Sequence, residues 1–342
     1  MLIAALGAMV LVGFISVSGT AQDVAPRLSF VIATGPSGGT YFPVGEAIAA
    51  IVSHPPGVDR CEAQGACGPV GLIASARTSS GAVANVRDVN TDRADSGLAQ
   101  SDVVAEAVSG KGTFRSIGPQ TRIRTIATLF PEDVLVIAAR SSGIRTLLDL
   151  KGKRVSIGAP GSGTLVAARA VLDAARLTAR VRISNEPADA AGQRLAEGKL
   201  DAFFFVGGAP VPLVQNLASR GLAVLVPIDG TARRKLLAQT RGFVETSIPA
   251  GQYAGQARIE TLATHAVFIV NASVPADIVF GITRSLFNPA NRQMLAASHP
   301  SAGAIRLETA TSGLTAPLHP AAARFYAETA GTAVRAEAKN IR

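Results

Sequence analysis

Residues 34–41 read Thr-Gly-Pro-Ser-Gly-Gly-Thr-Tyr, and this stretch limits the fold more than any other in the chain. The run before it, residues 28–33, is mostly apolar, and Val31 and Ile32 suit a buried strand. The run after it, residues 42–51, places Val44, Ile48 and Ile51 at helical spacing. The stretch is therefore a strand-to-helix turn. A tight connection accounts for one or two glycines. It does not account for Gly35, Gly38 and Gly39 together with Thr34, Ser37, Thr40 and Tyr41. Glycines let a backbone approach a ligand closely, and the first amides of a helix have no partner inside it and can hold an anion.

A second copy follows at residues 158–164, Gly-Ala-Pro-Gly-Ser-Gly-Thr, again after a strand (154–157) and before a helix (164–175). Here Gly161, Ser162, Gly163 and Thr164 are the candidate contacts. The halves echo further, since each has a later Asp followed by a short apolar run, Asp95 in the first and Asp201 in the second. Gly39 to Asp95 is 56 residues and Gly163 to Asp201 is 38; the difference of 18 is the length of residues 54–71. That segment is rich in Pro and Gly, holds Cys61 and Cys67, and reads as an insertion. Strands alternating with helices imply α/β lobes with parallel pairing, in which ligands sit beyond the carboxyl ends of strands. Residues 124–130 and 134–139 read as two strands, Ser101 as the cap of a helix over 102–109, and 248–255 as a loop able to close over a ligand.

The chain has 342 residues, enough for two domains, and 48% are hydrophobic, enough for sizeable cores. Its net charge of +9 is scattered with no dense Lys/Arg run, which argues against nucleic acid as a partner. Residues 2–17 are apolar except Ser16, and small residues end at Ala21, as in a signal peptide spanning 1–21. No positive n-region precedes it, so an upstream start or an uncleaved anchor is the alternative. Export makes a Cys61–Cys67 disulfide the leading reading over a free redox pair. Zinc is disfavoured because only His54 lies nearby.

Seven stretches resemble the TAXI family of solute-binding proteins, the extracytoplasmic receptors of TRAP transporters: residues 33–43, 95–102, 150–164, 200–205, 227–230, 248–255 and 317–326. The resemblance implies a two-lobed periplasmic-binding-protein fold (a type II-like Venus flytrap), each lobe a mixed or parallel sheet flanked by helices. It divides the chain into lobe 1 (27–139 plus 256–342, with the insertion 54–71) and lobe 2 (140–255). It implies a periplasmic monomer that captures glutamate, glutamine or a related dicarboxylate for a TRAP membrane permease, without chemistry on the ligand. The sequence departs from the family at Ala82, where a serine is usual before Val83-Ala84-Asn85, and at Ala321, where a glycine usually follows Leu318-His319-Pro320.

Gly35-Pro36-Ser37-Gly38-Gly39 also satisfies the nucleophile-elbow pattern, so the alternative is an exported serine hydrolase with His265, His299 or His319 as partner. Against it, the motif follows the first strand, leaving no room for the upstream strands and oxyanion loop. Residues 158–163 lack dinucleotide and phosphate-loop spacing. Asn85, Gln100, Phe205 and Tyr253 complete the candidate ligand set, with Arg140 or Arg169 as possible carboxylate partners. His319 is read as a pin for the C-terminal segment. No catalytic set, metal or cofactor is expected.

Overall fold

The computed structural model describes residues 27–340 apart from 58–60 and 62. The expected signal segment, residues 1–21, lies outside the described residues. The described chain enters on β1 (Leu28–Ala33) and passes through the Gly-rich turn into α1 (Tyr41–Val52). The two pack closely, because any Cβ on Gly45 would collide with the Thr34 side chain. Next come β2 (Leu72–Arg77), α2 (Ala82–Asn90), β3 (Ser96–Gln100) and α3 (Ser101–Ser109). β1 pairs in parallel with β2 and with β3. Ser101 is the first residue of α3 and not its cap. Its hydroxyl lies 2.9 Å from Thr264 Oγ1 and donates to Gly242 O at 3.2 Å. The insertion is closed by the Cys61–Cys67 disulfide, with Cα atoms 5.7 Å apart. Asn288 Nδ2 donates to Gln64 O and Asn291 Nδ2 to Ala66 O, tying the insertion to the body.

The runs 124–130 and 134–139 form one continuous strand, β4 (Ile123–Ala139). Pro131 lies opposite His265, near a register shift between Ala266 and Val267. A proline lacks the ladder N–H, and an irregular part of a ladder tolerates that loss. The chain then builds β5 (Arg154–Ser156), α4 (Gly163–Ala174), β6 (Arg182–Ser184), α5 (Ala188–Ala196) and β7 (Ala202–Gly207). It continues through α6 (Pro212–Ser219), β8 (Ala223–Val226), α7 (Gly230–Gln239) and β9 (Val244–Ile248). β10 (Ile259–Asn271) returns antiparallel to β9, β4 and β3, and α8 (Ala276–Leu286), α9 (Arg292–Ser298) and α10 (Pro320–Asn340) follow.

The sheet runs β2-β1-β3-β10-β4-β7-β5-β6, with β8 added on β4 and β9 on β10. β4 and β10 are long enough to belong to both lobes. The order β2-β1-β3 of the first lobe recurs as β6-β5-β7 in the second. The two echoed aspartates do one job: Asp95 Oδ2 accepts from Val31 N–H and Asp201 Oδ2 from Arg154 N–H, each at 2.7 Å. Each carboxylate thus ties its own strand to the one that enters the Gly-rich turn. One apolar core joins Phe30, Ile48 and Phe130 to Phe268 and Ile282. The second lobe has a core on each sheet face: β7 sends Phe204 and Val206 toward α4 and α7, and Phe203 toward α5 and α6. Burial on both faces explains why β7 reads as an unbroken apolar run.

Candidate functional site

A cleft of about 270 Å³ lies between the lobes, beyond the carboxyl ends of β1, β3, β5 and β7. The first lobe lines it with Gly35, Pro36, Gly38, Gly39, Thr40 and Tyr41, with Ser79, Ser80, Gly81 and Ala82, and with Gln100 and Glu132. The second lobe contributes Gly158, Ala159, Ser162, Gly163 and Thr164, then Pro187, Ala188 and Asp189, and Phe204, Phe205 and Val206. Both Gly-rich turns therefore face one space, and the starts of α1 and α4 point into it. Close approach depends on glycine. A Cβ on Gly163 would overlap the Gln100 amide, and one on Gly38 would lie 3.0 Å from Asp189 Oδ2.

The lobes are drawn together. Thr40 Oγ1 accepts from Gly208 N–H at 3.3 Å, and Gly161 O accepts from Val83 and Ala84 N–H at 3.1 and 3.2 Å. Ser301 Oγ donates to Ala209 O at 3.1 Å. Gly161 thus serves the first turn of α2 across the cleft and is not a wall of it, because its carbonyl fills the need of two helix-start amides.

The remaining expected contacts divide by where their polar atoms go. Thr40, Tyr41, Ser162 and Thr164 line the cleft, but their hydroxyls already have protein partners. Ser162 accepts from Leu165 N–H and donates to Ala159 O, so it caps α4. Thr164 Oγ1 accepts from Val206 N–H at 3.1 Å. Thr34, Asn85, Tyr253 and Ser37 do not line the cleft. The Thr34 hydroxyl donates to Arg77 O, and Asn85 Nδ2 donates to Thr34 O and Leu98 O, so both hold β1, α2 and β3 together. Tyr253 is buried, and its hydroxyl accepts from Val211 N–H at 3.0 Å. Ser37 is exposed, four residues before α1 begins, and no described hydrogen bond joins it to a histidine. A nucleophile elbow needs its serine at the start of the helix. Arg140 donates to Gly221 O and Arg169 is exposed; among the described residues no Lys or Arg lines the cleft. His319 N–H donates to Thr125 O, and its Nδ1 accepts from Ala321 N–H, which fixes the start of α10 against β4.

Sequence reasoning missed Glu132, which is 1% exposed and accepts from the Tyr41 hydroxyl at 2.7 Å. Its signal is the pair Glu132-Asp133 interrupting an otherwise apolar strand, since full burial of a carboxylate is rare. Loss of water pushes the Glu132 carboxyl up to about 8. The Tyr41 hydrogen bond opposes that rise, while the nearby charges of Asp102 and Asp133 add to it. Burial likewise raises Asp102 to about 7, against the hydrogen bond it accepts from Thr264, and Asp133 to about 6. Tyr41 is raised well above its usual value, first by burial and then by Glu132. Ser79 and Ser80 line the cleft beside Ala82, placing hydroxyls next to the position where the serine is replaced. Gln100 is 3% exposed and its Oε1 has no hydrogen-bond partner. Among the described residues no group of three or more His, Cys, Asp and Glu is arranged to hold a metal ion.

The chain matches the NMT1-like family over residues 32–330, a span that includes both Gly-rich turns and both crossing strands. The chain belongs to the NMT1-like family. Solved structures share its architecture at low identity. MatC from Rhodopseudomonas palustris, solved with bound malate, is 14% identical, covers 89% of this NMT1-like chain and 97% of its own, and superposes with a TM-score of 0.52. A protein from Bordetella bronchiseptica RB50 is 14% identical over 88% of this chain and 80% of its own, with a TM-score of 0.50. These likenesses establish the two-lobed α/β fold of the NMT1-like chain. No helix among its described residues is long and apolar enough to cross a membrane.

Proposed function

We propose that this protein is the extracytoplasmic solute-binding subunit of a transporter, capturing a small carboxylate between its lobes and handing it to a membrane permease. The observation that carries this reading is the cleft itself, in which two Gly-rich turns from two lobes present the starts of α1 and α4 to one enclosed space. Unpaired amides and both helix dipoles favour an anion there. Pro43 removes one amide from the first turn of α1, and Leu165 N–H is spent on Ser162. The amides left for a ligand are therefore those at the very front of each helix, around Tyr41 and around Gly163. A small carboxylate fits a cleft of about 270 Å³, and MatC holds malate in the same fold.

The sequence resemblance to TAXI receptors supports a TRAP-type permease as partner, a periplasmic location, and glutamate, glutamine or a related dicarboxylate as ligand. Ligand capture without turnover accords with the exposed position of Ser37. The test is a thermal-shift screen of purified protein against amino acids, dicarboxylates, and 2-oxo and 2-hydroxy acids, followed by calorimetry. A true ligand raises the melting temperature by mass action. Absence of any shift across the panel at millimolar concentration overturns the proposal.

A further inference from the structure

The cleft is uneven in charge. At one end lie the helix starts, which favour an anion. At the other, two buried residues with acceptors line the space: Glu132 with its carboxyl, and Gln100, whose unpaired Oε1 lies against Gly163 of the opposite lobe. Among the described residues the ionisable groups that act on Glu132 are acidic: Tyr41 from α1, Asp102 from the start of α3 and Asp133 on its own strand; Asp189 on α5 lines the same cleft from the other lobe. From β10 comes only Thr264, whose hydroxyl donates to Asp102. Among the described residues no Lys or Arg lines the cleft to neutralise a second carboxylate.

We propose that Glu132 sets the specificity of the cleft by receiving, together with Gln100 Oε1, the ammonium group of a zwitterionic ligand whose carboxylate lies on the starts of α1 and α4. This rests on the solute-binding reading and narrows it from small carboxylates in general to amino acids over dicarboxylates. An ammonium group has three donors and a positive charge. It satisfies both acceptors and balances the surrounding carboxyls. A dianion brings a second negative charge into an acidic wall and leaves Gln100 Oε1 unpaired, which is unfavourable in a buried site. Proton balance follows from the same geometry. Burial keeps Glu132 protonated at neutral pH. The arriving ammonium favours its ionised form, so the Glu132 proton leaves to solvent on binding.

The experiment is calorimetry at pH 7 on the whole exported chain, wild type and Glu132→Gln. The probes are matched pairs that differ only in the ammonium group: L-glutamine against 4-carbamoylbutanoate, and L-leucine against 4-methylpentanoate, with glutarate as the dianion. Wild type is expected to favour the zwitterion of a bound pair by about tenfold or more, the scale of one charge-assisted hydrogen bond. It should also release a proton, seen as different heats in phosphate and Tris. Glu132→Gln should shrink that preference to within about threefold and abolish the release, while glutarate binding, which meets a neutral side chain in both proteins at pH 7, changes little. The wild-type preference and proton release stand without any variant. Equal or better binding of the ammonium-free partner by wild type, or proton uptake, overturns this inference and leaves solute binding intact. If no acid in the broader thermal-shift panel binds, the solute-binding reading falls and this inference falls with it.

Discussion

Thr40 sits on one lobe and accepts from an amide of the other, so its hydroxyl acts only when the lobes meet. Thr40→Ala removes one neutral hydrogen bond from the closed form, worth about 1 kcal/mol. Ligand affinity should fall roughly fivefold, while the melting temperature of ligand-free protein moves by less than about 2 °C. A large drop in that melting temperature instead places the bond in the resting fold. Glu132 has a consequence for stability as well. A carboxyl whose folded pKa is raised favours folding while it stays protonated, and that contribution is lost as pH rises from the unfolded value to the folded one. For Glu132 the window runs from the ordinary glutamate range to about 8, and for Asp102 from the aspartate range to about 7. Asp149, Asp201, Glu197 and Glu260 are lowered by hydrogen bonds, and they change stability only below pH 5. Burial lowers His265, His299 and His319, which works the opposite way below the ordinary histidine value of 6.5. Between about pH 6.5 and 8 the ligand-free protein should therefore lose stability, with Glu132 adding at most about 1.4 kcal/mol per pH unit. Chemical denaturation across that range checks this, and a Glu132→Gln profile parallel to wild type would falsify it.

At the scale of elements, the insertion between α1 and β2 is held in more than one way. The Cys61–Cys67 bridge closes a short loop, so its entropic contribution is at the low end, about 2 kcal/mol. Asn288 and Asn291 still grip Gln64 and Ala66 after reduction, and His54 N–H still donates to Leu72 O. Reduction is expected to raise hydrogen exchange around residues 61–68 while the cores keep their protection, and global loss of protection would contradict this. The element that tolerates least change is the start of α4. Its first residue, Gly163, lies where any side chain meets Gln100 of the other lobe.

The whole molecule turns on that approach. Gly163→Val leaves α4 its Ser162 cap but obstructs closure. Apparent affinity scales with the fraction of molecules able to close, so a variant that closes one time in ten or less loses about tenfold or more. Small-angle scattering checks the cause. Wild type should grow more compact with ligand, whereas Gly163→Val stays extended at saturating concentration. Equal compaction of both proteins removes the steric argument. Because β4 and β10 run through both lobes, the hinge is expected at the middle of these strands, around Pro131 and His265, where the ladder is already irregular.

The sequence alone determined the features that are local in origin. Two Gly-rich turns, the helices they open, and the strands before them follow from the close approach that glycine permits, from positive φ at Gly158 and Gly161 of the second turn, and from periods of two and 3.6 residues. The echo of Asp95 and Asp201 was also legible, because each sets the strand that follows it. Tertiary structure alone decided which polar atoms remain available to a ligand. Tyr41 and Glu132 lie 91 residues apart, Thr40 and Gly208 lie 168 apart, and Tyr253 finds Val211 at 42. No local pattern specifies those partners, so the hydroxyls of Thr40, Tyr41 and Thr164 read as free in the sequence and are engaged in the fold. For the same reason the pair Glu132-Asp133 between two apolar runs marked an unusual place in the sequence without showing its role: burial by distant segments, with Asp102 and Asp133 nearby, raises the Glu132 pKa, and the fold sets it on the cleft.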